Sequence, residues 1–235
     1  MRRYPDRVQL TRAQVAAMID LTLLRPESTA RDIVRLCTDA RTHHVAAVCV
    51  NPVFVELAAR ELSGTRVRVA TVVGFPLGAT TTAMKVAEAR EAIEHGAAEI
   101  DMVMFIGGLK GGDAPRVEED IRQVVEVCHS HRALCKVILE TCLLNQEEKL
   151  KAVELCIRAG ADFVKTSTGF STGGATAEDV ALLASVAGPA GLGVKAAGGI
   201  RTADDVRRMI TAGATRIGTS SGVAILQEWE GPHRQ

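Results

Sequence analysis

Short apolar runs and amphipathic stretches alternate about eight times along this chain, and no other feature limits its fold so tightly. A brief apolar run bounded by glycine, proline or hydroxyl residues reads as a strand buried on both faces. A longer stretch with apolar residues three and four apart reads as a helix laid over it. Strands are expected over residues 19–24, 45–50, 67–73, 100–106, 134–141, 194–197 and 216–219, with a further short one that delivers Lys165. Helices are expected over 11–18, 30–42 behind Ser28 or Thr29, 53–63 up to Gly64, from Thr81 or Thr82 to His95 with Gly96 as cap, and over 114–131. Others run from Asn145 to Gly160, from Thr176, from Thr202 to Gly213, and over 221–229. No linker or low-complexity segment divides the chain. At 235 residues, this count argues for a parallel (β/α)8 TIM barrel rather than an open doubly wound sheet. The expected organisation is a single domain over 1–235, with 1–10 as an N-terminal extension and 230–235 as a tail.

A weak internal repeat supports equivalent units. Gly96-Ala97-Ala98-Glu99-Ile100-Asp101, Gly160-Ala161-Asp162-Phe163-Val164-Lys165 and Gly213-Ala214-Thr215-Arg216-Ile217-Gly218 share one frame, and the segment from His44 to Cys49 fits it without the glycine. Because strand side chains alternate, Cys49, Asp101, Lys165 and Gly218 are expected at similar depth on one face.

Composition narrows the partners. Lysine plus arginine and aspartate plus glutamate both number 28, so nothing draws the chain to nucleic acid or acidic lipid. Hydrophobic content is 47% but aromatics are 3%, which leaves the core to small aliphatic residues. Cys37, Cys49, Cys128, Cys135, Cys142 and Cys156 form no C-x-x-C pair and sit among apolar residues, as expected of reduced cysteines in the cytoplasm. The opening MRRYPDRVQL has no apolar segment behind its charges, and no run is long enough to span a membrane.

The stretch Ala161–Gly174, ADFVKTSTGFSTGG, carries the strongest chemical signal. Lys165 interrupts an apolar strand, and a buried lysine favours its neutral, nucleophilic amine. The hydroxyl residues and glycines behind it can approach an anion closely. Lys136 in LCKVILE, Lys195 in GVKAAGGI and Asp101 in EIDMVMF break other strands. Each alone could be a strand-end charge that snorkels to water or a structural ion pair. Together they suit an amine whose proton is displaced by a second cation, with an acid to move protons. Anion-binding candidates are Thr168-Gly169, Gly173-Gly174, Gly198-Gly199 and Thr219-Ser220-Ser221, since loops after late barrel strands commonly hold phosphate. No histidine pairs with a carboxylate at ligand spacing and no G-x-G-x-x-G opens a helix, so neither a metal nor a dinucleotide cofactor is expected.

The segments VCVNP, GFPLGATTTAMKVAEA, EIDMV, KVILETCLL, ADFVKTSTGFSTGGAT, VKAAGGIRT and RIGTSSGV resemble the deoxyribose-phosphate aldolase family, a match running from about Ile19 to Leu226. The resemblance implies a metal-free, cofactor-free class I aldolase on a (β/α)8 barrel. Such an enzyme reversibly cleaves 2-deoxy-D-ribose 5-phosphate to acetaldehyde and D-glyceraldehyde 3-phosphate. By position, Lys165 resembles the Schiff-base lysine. Lys195 resembles the second lysine that lowers its pKa and shares in proton transfer, and Asp101 the acid working with it. Gly169, Gly198, Gly199, Ser220 and Ser221 resemble the phosphate nest. Thr22, Leu24 and Cys49 fall where the family lines its substrate pocket, and Lys136 and Thr168 are grouped with the substrate-binding residues. Small phosphosugars and aldehydes are the implied partners, and a homo-oligomer, dimer or tetramer, is the implied assembly. This chain departs from many relatives in having Leu21 in place of histidine and Phe105 in place of asparagine. Some relatives end in a tyrosine that reaches the site, whereas the one tyrosine here is Tyr4. Two other readings keep part of this picture: a Schiff-base aldolase or transaldolase for a different phosphosugar, and a phosphosugar-binding barrel without turnover.

Overall fold

The computed structural model describes residues 10–229. Eight parallel strands close into one barrel in sequence order: β1 (Ile19–Leu23), β2 (Ala47–Val50), β3 (Arg68–Val73), β4 (Glu99–Val103), β5 (Leu134–Ile138), β6 (Phe163–Lys165), β7 (Gly193–Ala197) and β8 (Arg216–Thr219). The helices are α1 (Arg12–Ala16), α2 (Ala30–His43), α3 (Val55–Glu61), α4 (Thr82–Glu94), α5 (Ile106–Lys110), α6 (Ala114–Ser130), α7 (Gln146–Ala159), α8 (Ala177–Ala187), α9 (Ala203–Thr211) and α10 (Gly222–Glu228). The expected (β/α)8 TIM barrel is therefore the fold observed. The expected extension and tail fall almost wholly outside the described residues.

Local chemistry sets the helix starts. Thr29, Asn145 and Thr202 form reciprocal capping boxes with Asp32, Glu148 and Asp205, while Thr81 and Thr176 cap through their side chains alone. A cap of this kind contributes about 1 kcal/mol each. The repeat frame has a conformational basis. Gly96, Gly160 and Gly213 all follow a helix with positive φ, at 106°, 79° and 110°. A Cβ on Gly96 or Gly213 would also lie 2.7 Å from an alanine methyl of the preceding helix layer.

Three segments differ from expectation. Residues 104–106 extend the apolar run of β4, but Ile106 begins α5. Gly108 there packs so tightly under the Phe105 ring that a Cβ would come within 2.5 Å of it. The strand expected to reach Thr141 ends at Ile138, because Glu140 takes a left-handed conformation (φ 56°) and Thr141–Leu143 turns in a 3-10 helix. The helix expected over 53–63 is a 3-10 turn at Pro52–Phe54 followed by α3.

The main apolar core lies between the outer strand faces and the helices. Inside the barrel a smaller apolar cluster of Leu24, Ala47, Cys49, Ala70 and Val72 occupies the side of β2 and β3, with Phe75 against it. Most of the charged side chains of the interior lie on the opposite side, on β1 and on β4 to β8.

Candidate active site

Alternation along the strands turns Asp20 and Thr22, Cys49, Glu99 and Asp101, Lys136, Lys165, Lys195, Arg216 and Gly218 toward the barrel axis. In the register Asp101 lies beside Lys136, Lys165 beside Lys195, Lys195 beside Arg216, and Gly218 beside Asp20. Cys49, Asp101, Lys165 and Gly218 thus share the inner face that the repeat frame assigns them. Gly218 has a specific function there. A Cβ at that position would approach the Lys195 Cε to 3.0 Å, so its absence leaves room for the extended amine.

Asp101 is the hub. Its Oδ1 accepts from Lys136 Nζ at 2.7 Å, and its Oδ2 accepts from both Lys165 Nζ at 2.8 Å and Lys195 Nζ at 2.7 Å. One carboxylate oxygen therefore bridges the two amines. Lys195 is also held by Asp20 at 2.5 Å, and Lys136 by Glu99 at 2.7 Å. Arg216 closes the set from below, reaching Asp20 at 2.7 Å and Glu99 at 3.0 Å. Asp20, Glu99 and Arg216 escape the sequence reading because charge at the start of a strand looks like a solvated end. The repeat frame held a signal for two of them, since Glu99 and Arg216 stand two residues before Asp101 and Gly218 and so share their face.

The four bases are not alike. Burial pulls the Lys165 amine below the ordinary lysine value. Asp101 opposes that pull and the nearby Lys195 cation adds to it. The shift expected for Lys165 is present, but desolvation is its main cause and Lys195 a lesser one. For Lys195, burial acts downward but Asp101 and Asp20 outweigh it and hold the ammonium above its usual value. Lys136 is raised in the same way by Asp101, Asp20 and Glu99, and Arg216 by Asp20 and Glu99. Burial raises Asp101, yet Lys136, Lys165 and Lys195 bring it well below the usual carboxylate range; Lys195, Lys136 and Arg216 do so for Asp20. Lys165 is thus the one base of the four in this cluster whose proton is held less tightly than usual.

A cavity of about 710 Å³ opens at the C-terminal ends of the strands, and Lys165 lines it together with Thr22, Leu24, Thr168, Gly169, Gly198, Gly199 and Ser220. The Cβ directions of Gly169 and Gly199, both at positive φ, meet open space. Arg25 and Arg201 bring positive charge to the same wall, and Phe170 packs edge-on against Phe75 at 5.2 Å. None of these four was singled out from sequence. Other expected residues stand back from the cavity. Lys136 is fully buried among carboxylates, and Cys49 belongs to the small interior apolar cluster. Ser221 begins α10 with its N–H donated to the Thr219 hydroxyl at 2.9 Å. Thr168 lines the cavity, but its N–H and hydroxyl both donate to the buried Glu140 carboxylate, a tie that sequence reading missed. The two departures lie elsewhere. Leu21 packs outward in the main core, and Phe105 lies under the Arg116 guanidinium at 5.0 Å. The C-terminal tail lies outside the described residues. Among the described residues no group of three or more His, Cys, Asp or Glu is placed to hold a metal ion.

Residues 14–228 match the family model described as DeoC/LacD family aldolase. The chain belongs to that family. It is 56% identical to deoxyribose-phosphate aldolase of Listeria monocytogenes serovar 1/2a, covering 90% of this chain and 94% of the relative. The enzyme of the same name from Bacillus cytotoxicus is 55% identical over the same shares. Among solved structures, the tetrameric deoxyribose phosphate aldolase of Aeropyrum pernix superposes with a TM-score of 0.88 at 36% identity, over 93% of this chain and 92% of that one. Members of this family are aldolases, and the match spans the whole barrel with the cavity that Lys165 lines.

Proposed function

We propose that this protein reversibly cleaves 2-deoxy-D-ribose 5-phosphate to acetaldehyde and D-glyceraldehyde 3-phosphate through a Schiff base on Lys165. The observation that carries the reading is the buried Lys165 amine at the base of the cavity, bonded to Asp101 Oδ2 at 2.8 Å, below loops of glycine and serine. The neutral amine attacks C1 of the open-chain aldehyde, and loss of water leaves an iminium that can accept electrons. The C3 hydroxyl then gives up its proton, the C2–C3 bond breaks, and its electron pair forms the enamine as glyceraldehyde phosphate departs. Protonation of the enamine at C2 and hydrolysis release acetaldehyde and restore the lysine. Asp101 Oδ2, shared by Lys165 and Lys195, is a short route for protons between the two amines. Gly169, Gly198, Gly199 and Ser220, with Arg25 and Arg201 near them, would hold the phosphate, and that hold would orient C1 against the amine. The reading includes a single catalytic domain and a cytoplasmic location, and a homo-oligomer, for which the tetrameric Aeropyrum pernix relative is the support. Borohydride added with acetaldehyde should label Lys165 and no other lysine. Label on Lys136 or Lys195, found by peptide mapping, would overturn the assignment.

A further inference from the structure

Below the catalytic groups lies a second charged layer that does not line the cavity. Arg216 Nη1 donates to Asp20 Oδ1 at 2.7 Å and to Glu99 Oε2 at 3.0 Å, and its guanidinium lies 5.5 Å from the centre of the Phe163 ring. Glu99 is fully buried and also takes Lys136 at 2.7 Å. Arg68 reaches Glu99 at 3.5 Å, but half of that side chain is in water, so its charge is screened. The enclosed interior therefore holds three carboxylates, Asp20, Glu99 and Asp101, and four bases, Lys136, Lys165, Lys195 and Arg216. A closed apolar shell tolerates charge only when it is balanced. Arg216 cannot give up its proton. Lys136 bonds to two carboxylates and lies 3.7 Å from a third, and Lys195 bonds to two. Among the described residues Lys165 has Asp101 alone. The interior balances at three against three when Lys165 is the neutral member.

We propose that Arg216 and Glu99 are positioning residues that set the protonation state of Lys165 from the bottom of the barrel. The inference rests on the reading of Lys165 as the nucleophile. The charged and titratable groups around Lys165 are Asp101 and Glu99 from β4, Lys136 from β5, Lys195 from β7, Arg216 from β8, Asp20 from β1 and the Cys49 thiol from β2. Arg25 and Arg201 lie on the cavity wall, and β3 presents Ala70, Val72 and, at its half-exposed lower end, Arg68, which reaches Glu99. Removing the Arg216 charge leaves an excess of one negative charge, and a proton on Lys165 cancels it. Removing the Glu99 charge leaves an excess of one positive charge, and that proton becomes harder to hold. Arg216 is two strands from Lys165, about 10 Å at ordinary strand spacing, where one charge in a protein interior moves a pKa by about one unit.

The test is the pH dependence of borohydride trapping with acetaldehyde, on the full chain and four variants, each with the labelled peptide mapped. The acid limb of the profile should move about one pH unit upward in Arg216→Met, giving about tenfold slower trapping at a given pH below the limb. It should move about one unit downward in Glu99→Gln. The double variant and Arg216→Lys, which restore balance or keep the charge, should keep the limb near its parental position. A purely structural layer would slow all single variants without shifting the limb in opposite directions. If Arg216→Met does not fold, Glu99→Gln against Arg216→Lys decides by the same limb, and an unmoved limb in Glu99→Gln overturns the proposal. Label on another lysine in the parent overturns the nucleophile assignment and this inference with it. Label on Lys165 with a fixed limb, or one moving the same way in both single variants, overturns this inference alone.

Discussion

Asp101 Oδ2 accepts from Lys165 and Lys195 together, yet the two amines are shifted in opposite directions. Partner number accounts for this: Lys195 has a second carboxylate in Asp20, and Lys165 has no second one among the described residues. Lys195→Leu tests how far the cation acts on its neighbour. With that cation gone, Lys165 should regain part of its proton near neutral pH. Trapping by borohydride should fall there, by up to about tenfold, and recover as the pH is raised. Because burial is the first cause of the Lys165 shift, the fall should be partial. Lys165→Leu should not trap at any pH. Trapping in Lys195→Leu equal to the parent at neutral pH would assign the whole shift to desolvation. At this scale much was legible in the sequence. Lys136, Lys165, Lys195 and Asp101 stand out because each interrupts an apolar run. Asp20, Glu99 and Arg216 do not, since a charge at a strand's first residues looks the same whether it points to water or to the axis.

The cavity rim is formed by the segments after β1, β6, β7 and β8, and the loops after β6 and β7 are joined backbone to backbone. Gly174 and Gly198 meet so closely that a Cβ on Gly174 would lie 2.3 Å from the Gly198 carbonyl oxygen, and Ala175 N–H donates to that oxygen at 3.0 Å. Glu140, after β5, fixes the Thr168 end of the first loop from the other side. Sequence marks such loops by their glycines but does not show which N–H groups are already taken. Thr168 and Ser221 N–H are engaged within the protein, whereas Gly169 and Gly199 face the cavity. Ser220 also lines it, away from the reacting lysine's strand. Ser220→Asp should therefore place a negative charge against the substrate phosphate. KM for deoxyribose phosphate should rise by about tenfold or more, while KM for unphosphorylated deoxyribose changes little. Equal losses on both sugars would mean that this loop does not hold the phosphate.

On the scale of the whole molecule, a barrel closed around balanced charge ties its stability to pH. Strands buried on both faces are legible as apolar runs, so the alternation and the count of eight were readable. The charged interior was legible only in part, because balance is a property of residues brought together from six strands and helices cannot report it. Asp20 and Asp101 are both held below the usual carboxylate range, chiefly because Lys195, Lys136 and their neighbours overcome the cost of burial. A carboxylate lowered on folding adds stability that is fully present above its unfolded pKa of about 3.9 and is lost as the pH falls toward the folded value. Stability measured by urea unfolding should therefore change little from about pH 7 to about pH 5, then fall steeply below about pH 4. Asp20→Asn removes one of the two carboxylates while leaving Lys195 and Arg216 with fewer partners. Its stability at neutral pH should drop by about 3–5 kcal/mol, the cost of uncovering a buried charge, and its fall in acid should be shallower than the parent's. An acid fall of undiminished steepness in Asp20→Asn would locate the acid-sensitive groups outside the barrel interior.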